Sequence, residues 1–114
     1  MNPRELVNAV LTDDVAARQL VKDAKRAAYS WSSAPAPDFP EPSKRAVYAG
    51  VVELLAERAG EQPPGWTKRV GAAPEPVYLM GANSKVWRRE YLVTAPDALK
   101  KHNVYASPEY LDVL

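Results

Sequence analysis

Four prolines fall within the short stretch Ser32-Ser33-Ala34-Pro35-Ala36-Pro37-Asp38-Phe39-Pro40-Glu41-Pro42. Proline has no backbone N–H and holds φ near about −65°, so neither a helix interior nor a central strand can pass through here. The stretch is a connection, extended in form, with Phe39 placed to anchor it on a core. Glu61-Gln62-Pro63-Pro64-Gly65 makes a second break, and Trp66 directly after it is suited to fix the turn onto the body of the protein. With 11 prolines in 114 residues, about twice the usual frequency, the chain is divided into short segments.

Between the breaks the apolar residues recur at helical spacing. Asn2 and Pro3 form a cap followed by proline in the first helical position, and Leu6, Val7, Val10 and Leu11 supply an apolar stripe ending near Thr12. Thr12, Asp13 and Asp14 can cap a second helix, with Ala17, Leu20, Val21, Ala24, Ala27, Ala28 and Trp31 at three- and four-residue steps. Ser43 is placed to cap a third, whose buried face is Ala46, Val47, Gly50, Val51, Leu54 and Leu55 and whose stop is Gly60. Gly50 inside that face implies close approach of another helix, since glycine costs about 1 kcal/mol of helix propensity relative to alanine. Val77-Tyr78-Leu79-Met80 is too short to classify by period, and reads as extended or a single helical turn. Asn83 or Ser84 can cap a helix to about Thr94, Pro96 starts a short one to about His102, and Ser107-Pro108-Glu109 opens a last turn. The expected fold is mainly α: one compact domain over residues 1–114 of about five or six short helices, joined by proline-rich connections, chiefly near residues 32–42, with a minor pair of extended segments.

The chemical inventory is thin. The chain has no cysteine, which excludes a thiolate nucleophile, a disulfide framework and a cysteine metal site. His102 is the single histidine, standing in Lys100-Lys101-His102 with no neighbouring carboxylate in sequence to orient it, and a surface or capping role is expected for it. A histidine metal site has no second histidine to build on, and no serine lies in a Gly-x-Ser-x-Gly elbow. Five glycines form no phosphate loop of the Walker or Rossmann type. No catalytic residue, no metal site and no cofactor are therefore expected, and the chain reads as a non-enzyme. No apolar run long enough for a membrane span or a secretion signal is present, which points to the cytoplasm.

Fifteen Lys and Arg against 14 Asp and Glu leave a net charge of +1, so charge-driven binding has to come from local clusters. Lys85, Arg88 and Arg89 recur at i, i+3 and i+4 of an expected helix, with Lys100 and Lys101 able to join them if the chain folds back across Ala95-Pro96. Cations so grouped can grip a phosphate or paired carboxylates. A secondary basic face on the second helix consists of Arg18, Lys22, Lys25 and Arg26, partly neutralised by Asp14 and Asp23, and is read first as a solvated face. Trp66, Trp87, Tyr91 and Tyr105 are expected to build the core.

Pro63-Pro64-Gly65-Trp66, then Glu75-Pro76-Val77-Tyr78, then Thr94-Ala95-Pro96-Asp97-Ala98-Leu99-Lys100-Lys101-His102-Asn103-Val104-Tyr105 resembles a recurring bacterial pattern, together with the helix from Val47 to Gly60. The pattern is similar to small, uncharacterised accessory or antitoxin-like proteins encoded beside helix-turn-helix regulators or nucleotidyltransferase-like genes in toxin–antitoxin-type loci. It covers residues 44–114. The resemblance implies an interaction role for Trp66, Pro96, Lys100, Lys101, Asn103 and Val104, and a protein partner such as a cognate toxin. The expected function is thus a protein–protein interaction module, antitoxin-like, bound through Lys85, Arg88, Arg89, Lys100 and Lys101. The alternative is a small DNA-binding transcriptional regulator using the same cations; it is not favoured, because the segment between the two helices lacks a glycine turn. Oligomeric state is left open by the residues.

Overall fold

The structure, a computed structural model, describes residues 1–79 and 85–112, with the backbone alone for 85–87. Helix α1 spans Pro3–Thr12 as its cap predicts: the Asn2 side-chain oxygen accepts from the Arg4 N–H at 3.0 Å, and Pro3 sits where a missing donor does no harm. Asp13 then ends α1 and starts α2, Asp14–Arg26. Its N–H donates to the Ala9 carbonyl at 2.8 Å while its carboxylate accepts from the Ala16 N–H at 3.1 Å. Leu6, Val7 and Val10 of α1 and Ala17, Val21 and Ala24 of α2 turn into the core.

Helix α2 stops five residues before Trp31, contrary to the expectation that carried the helix through it. The Tyr29 N–H returns to the Ala24 carbonyl at 2.9 Å and the Ala28 N–H to Lys25 at 3.1 Å, the Schellman closure, with Ala28 left-handed at φ 51°. Trp31 therefore lies in a separate 3₁₀ turn, Trp31–Ser33, buried against α3. Helix α3, Pro42–Arg58, closes in the same way: Glu61 N–H reaches Ala56 at 2.9 Å and Gly60 N–H reaches Glu57 at 3.1 Å, but here the left-handed residue is Gly60, at φ 72°. An alanine at φ near 50° carries a steric penalty that glycine lacks. Ala28→Gly should accordingly raise stability by about 0.5–1 kcal/mol, seen as a rise of a few degrees in melting temperature by circular dichroism.

Helix α3 is the centre of the molecule. It begins at Pro42 with Glu41 in the cap position and no side-chain cap bond, so Ser43 lies inside the first turn and does not cap it. Every residue from Ala46 to Ala56 is buried, where the sequence suggested a single apolar stripe. The helix is covered on several sides at once, by α1, the 3₁₀ turns and the C-terminal layer. Gly50 meets the expected close neighbour: a Cβ there would stand 3.1 Å from Leu99 Cδ2.

The proline-rich connection has few donors and no strand partner, so its carbonyls need donors from elsewhere. Side chains supply them. Trp66 Nε1 donates to Ala34 at 2.9 Å, the Tyr48 hydroxyl to Pro35 at 2.8 Å, and Arg45 to Phe39 and Pro40 at 2.7 and 2.9 Å. Phe39 anchors the segment as expected, packed edge-on to Tyr48 at 6.0 Å.

After the 3₁₀ turn Gly65–Arg69 come β1 (Val77–Tyr78), α4 (Lys85–Thr94), α5 (Asp97–Lys100) and β2 (Val104–Tyr105). The strands are parallel, with Val77 opposite Val104 and Tyr78 opposite Tyr105, so the ambiguous Val77-Tyr78 run is extended. Parallel pairing requires a crossover, and α4 and α5 provide it. The second short helix ends at Lys100, earlier than expected, and a turn with Asn103 at φ 62° leads into β2. The cap expected at Asn83 or Ser84 lies outside the described residues, as does the Trp87 side chain. One apolar cluster runs from Leu6 through α3 to Leu111.

Candidate functional site

Among the described cations, Arg88, Arg89 and Lys100 lie on or against α4, while Lys101 pairs with a carboxylate on α3. The Lys85 side chain lies outside the described residues. Arg88 and Arg89 are exposed on α4, and the Arg88 guanidinium stands over the Tyr78 ring at 5.0 Å, joining α4 to β1 by a cation–π contact. Lys100 folds back along its own surroundings: its ammonium donates to the Val93 carbonyl at 3.1 Å and lies 3.9 Å from the Asp97 carboxylate. Lys101 points elsewhere, onto the Glu53 carboxylate. On α2, Arg18 pairs with Asp14 at 3.1 Å, while Lys22, Lys25 and Arg26 share its exposed side.

Of the expected core aromatics, Trp66 packs against the core cluster, stacked on Tyr48 with ring centroids 5.3 Å apart and an interplanar angle of 3°. Tyr91 and Tyr105 are half-buried, and Tyr105 leans on Tyr78 at 5.6 Å. Among the described side chains of α4, the apolar groups left in solvent are Leu92 and Val93, with 43% and 74% of their surface exposed. Arg88 with Leu92, and Arg89 with Val93, stand four residues apart, so the helix presents paired cationic and apolar positions on its outer side. Helix α4 itself rests on β2.

A second cluster was not foreseen. His102 is buried, against the expectation of a surface or capping residue, and its Nε2 lies 2.9 Å from Glu53 Oε1. The orienting carboxylate comes from 49 residues upstream, on α3. The ring's Nδ1 faces the Gly71 carbonyl at 3.4 Å, and the other Glu53 oxygen carries the Lys101 ammonium as an ion pair. Burial alone would raise the Glu53 carboxyl, but the hydrogen bonds and charges of His102 and Lys101 outweigh it and hold the group below its ordinary value. The cluster floors a recess of about 290 Å³, with Thr67, Lys68 and Val70 on its other sides. A signal for it existed in the sequence: Glu53 is a charge inside Val51-Val52-Glu53-Leu54-Leu55-Ala56, and such a residue is tolerated in an apolar run only with a partner.

Each His102 nitrogen faces an acceptor within the chain, Glu53 Oε1 and the Gly71 carbonyl, so the ring is held in place from both sides. A second recess of about 420 Å³ lies between the ends of α2 and α3, walled by Tyr29, Trp31 and Leu55. Its polar groups are used internally as well. Glu61 accepts from the Ser30 hydroxyl at 2.7 Å and the Trp31 N–H at 3.1 Å, and Arg58 donates to the Tyr110 and Pro108 carbonyls. Those bonds tie the two helix ends and the C-terminal turn together.

Comparisons of the chain with family models, with curated proteins and with solved structures each give no match. Among the described residues, no helix is long and apolar enough to cross a membrane, and no three His, Asp or Glu side chains gather as a metal site would need.

Proposed function

We propose that the chain is a protein-interaction module that docks through the outer side of α4, with Arg88, Arg89, Leu92 and Val93 entering an apolar groove rimmed by carboxylates on its partner. The observation that carries this reading is the exposure of Val93 and Leu92, 74% and 43%, beside two arginines on one helix. Helix-in-groove recognition uses this combination: apolar anchors supply the burial, and flanking charges set orientation and rate of encounter. A helix of ten residues is about 15 Å long and covers only part of a standard interface, so neighbouring surface joins it. In its finer form the proposal is an antitoxin-like, cytoplasmic member of a bacterial two-gene pair with a cognate toxin as partner. That form rests on the resemblance over residues 44–114.

Lys101 pairs with Glu53 on α3 and Lys100 with Asp97 and the Val93 carbonyl, so the proposed docking face is centred on Arg88 and Arg89 among the described side chains.

The test is purification of the tagged chain from its native host with crosslinking, identification of the attached protein, and titration of that protein with the wild type and with Val93→Asp combined with Arg89→Glu. The double variant should bind at least about 30-fold more weakly, the loss typical of removing interface anchors, with an unchanged circular dichroism spectrum. A chain that stays monomeric and alone at every salt concentration, or a partner indifferent to both substitutions, overturns the proposal.

A further inference from the structure

His102 joins three parts of the chain at one point. Its ring reaches Glu53 on α3 at 2.9 Å and the Gly71 carbonyl at 3.4 Å, while its own main-chain carbonyl accepts from the Ala73 N–H at 2.9 Å. The next residue extends the same knot: Asn103 Nδ2 donates to the Ala73 carbonyl at 3.0 Å, and the Asn103 carbonyl accepts from the Val77 N–H at 3.0 Å, the first rung of the β1–β2 ladder. Residues 71–79 and 97–106 are thus bound to each other by backbone and amide hydrogen bonds. Their charged tie to α3 is the Glu53 carboxylate, gripped by His102 and Lys101. Leu99 against Gly50 is an apolar contact in the same layer, and it does not respond to pH.

We propose that Glu53, His102 and Lys101 form an acid-sensitive latch that governs opening of the layer built from residues 71–79 and 97–106, separately from α1 and α2.

The physical basis is the asymmetry of a buried ion pair. Formed, it satisfies groups that have lost their water; with one member neutralised, the remaining charges stay buried without compensation. Glu53 is 1% exposed and His102 3%, so both groups have given up most of their water while the layer stays closed. Opening the layer rehydrates both. The groups facing Glu53 are His102 and Lys101 from the turn after α5 and Lys68 from the 3₁₀ turn across the recess, all potential cations; among the described residues no other charged side chain lines it. The neighbouring groups therefore favour the carboxylate form, and protonating Glu53 removes the charge that holds Lys101 and His102 to α3. The sign follows. A carboxyl depressed in the folded state contributes its stability in full above its unfolded-state value, and that contribution is lost as pH falls through the folded-state value, here on the acid side of the ordinary carboxylate range. Helices α1 and α2 are held by Leu6, Val7, Val10, Ala17, Val21 and Ala24 in the core, and none of their residues lines the recess over the latch, so they stay in place as the layer opens. The latch stands independently of whether α4 docks on a partner, and either proposal can fail without the other.

Hydrogen exchange of the full chain tests this. The reporters are the Ala73, Val77 and Leu79 amides, which donate within the layer, and the Val10 and Val21 amides of α1 and α2. In Glu53→Gln at neutral pH the layer reporters should exchange at least about tenfold faster while Val10 and Val21 change less than about twofold, the pattern of a sub-global opening. The wild type taken to acid pH, corrected for intrinsic exchange chemistry, should show the same selective loss, which keeps the test decisive if Glu53→Gln does not fold. Lys101→Met, which removes the exposed arm alone, should move the layer reporters in the same direction by less. Equal acceleration of both reporter groups in acid would show one cooperative unit and overturn the proposal. So would layer amides as protected in acid as at neutral pH.

Discussion

His102→Leu should lower the unfolding free energy by about 3–5 kcal/mol, because it takes away the 2.9 Å partner of the buried Glu53 carboxylate and leaves Lys101 to hold it. For a chain of this size, whose whole stability is on the order of 5–15 kcal/mol, that removes a large share. The informative comparison is the double variant Glu53→Leu with His102→Leu. Replacing both members of a buried pair by apolar groups is often neutral, so the double variant should recover most of what the single variant loses. Urea denaturation of the four proteins of the cycle measures this, and a double variant as unstable as the sum of the singles would show that the two side chains do not act as a pair. The cycle also separates packing from charge, since leucine keeps an apolar filling at both positions.

Tyr48→Ala should be as damaging, at about 3–5 kcal/mol. Tyr48 is wholly buried in α3, stacked on Trp66, edge-on to Phe39, and bonded through its hydroxyl to the Pro35 carbonyl. Burial pushes its phenol well above the ordinary value, with Tyr29 adding to the rise, so the hydroxyl stays a neutral donor over the whole working range. One side chain thereby holds the proline-rich connection, the second proline break and the central helix at a single point. Tyr48→Phe isolates the hydroxyl and should lose only about 1 kcal/mol, the net value of one hydrogen bond plus the stranding of a carbonyl at the edge of solvent. A thermal melt distinguishes the two; near-equal losses would mean that the hydrogen bond, not the ring, anchors the connection.

Helix identity was legible wherever a local chemical rule applied. Asn2 and Pro3 mark the start of α1, Asp13 the start of α2, Gly60 the end of α3, and the prolines around Phe39 the long connection; each acts on backbone groups within a few residues of itself. Misplacement came where a local rule had a competitor. Trp31 continues the apolar spacing of α2, but the Schellman closure at Ala28 ends the helix first, because the chain must turn there to bring Trp31 and Glu61 together. The cations were legible in the sequence, and their contacts within the fold were not. Arg88 and Arg89 are outward as their spacing suggested, whereas Lys101, one residue from Lys100 in sequence, faces a different part of the molecule because the turn after α5 rotates it onto α3.

Residue types and their near neighbours were enough to establish a mainly helical chain cut by proline, the caps and stops of its helices, and a glycine in α3 awaiting a close neighbour. All of these depend on φ restriction, on backbone donors and acceptors, and on spacing along one segment. Folding in three dimensions settled what depends on distant segments meeting. Glu53 and His102 became a buried pair across 49 residues, Val77 and Val104 became strand partners across a helical crossover, and Leu92 and Val93 were left in solvent. A charge in an apolar helix announces that it needs a partner. Only the packing of α5 against α3, with Leu99 filling the space over Gly50, determines that the partner is the single histidine of the chain.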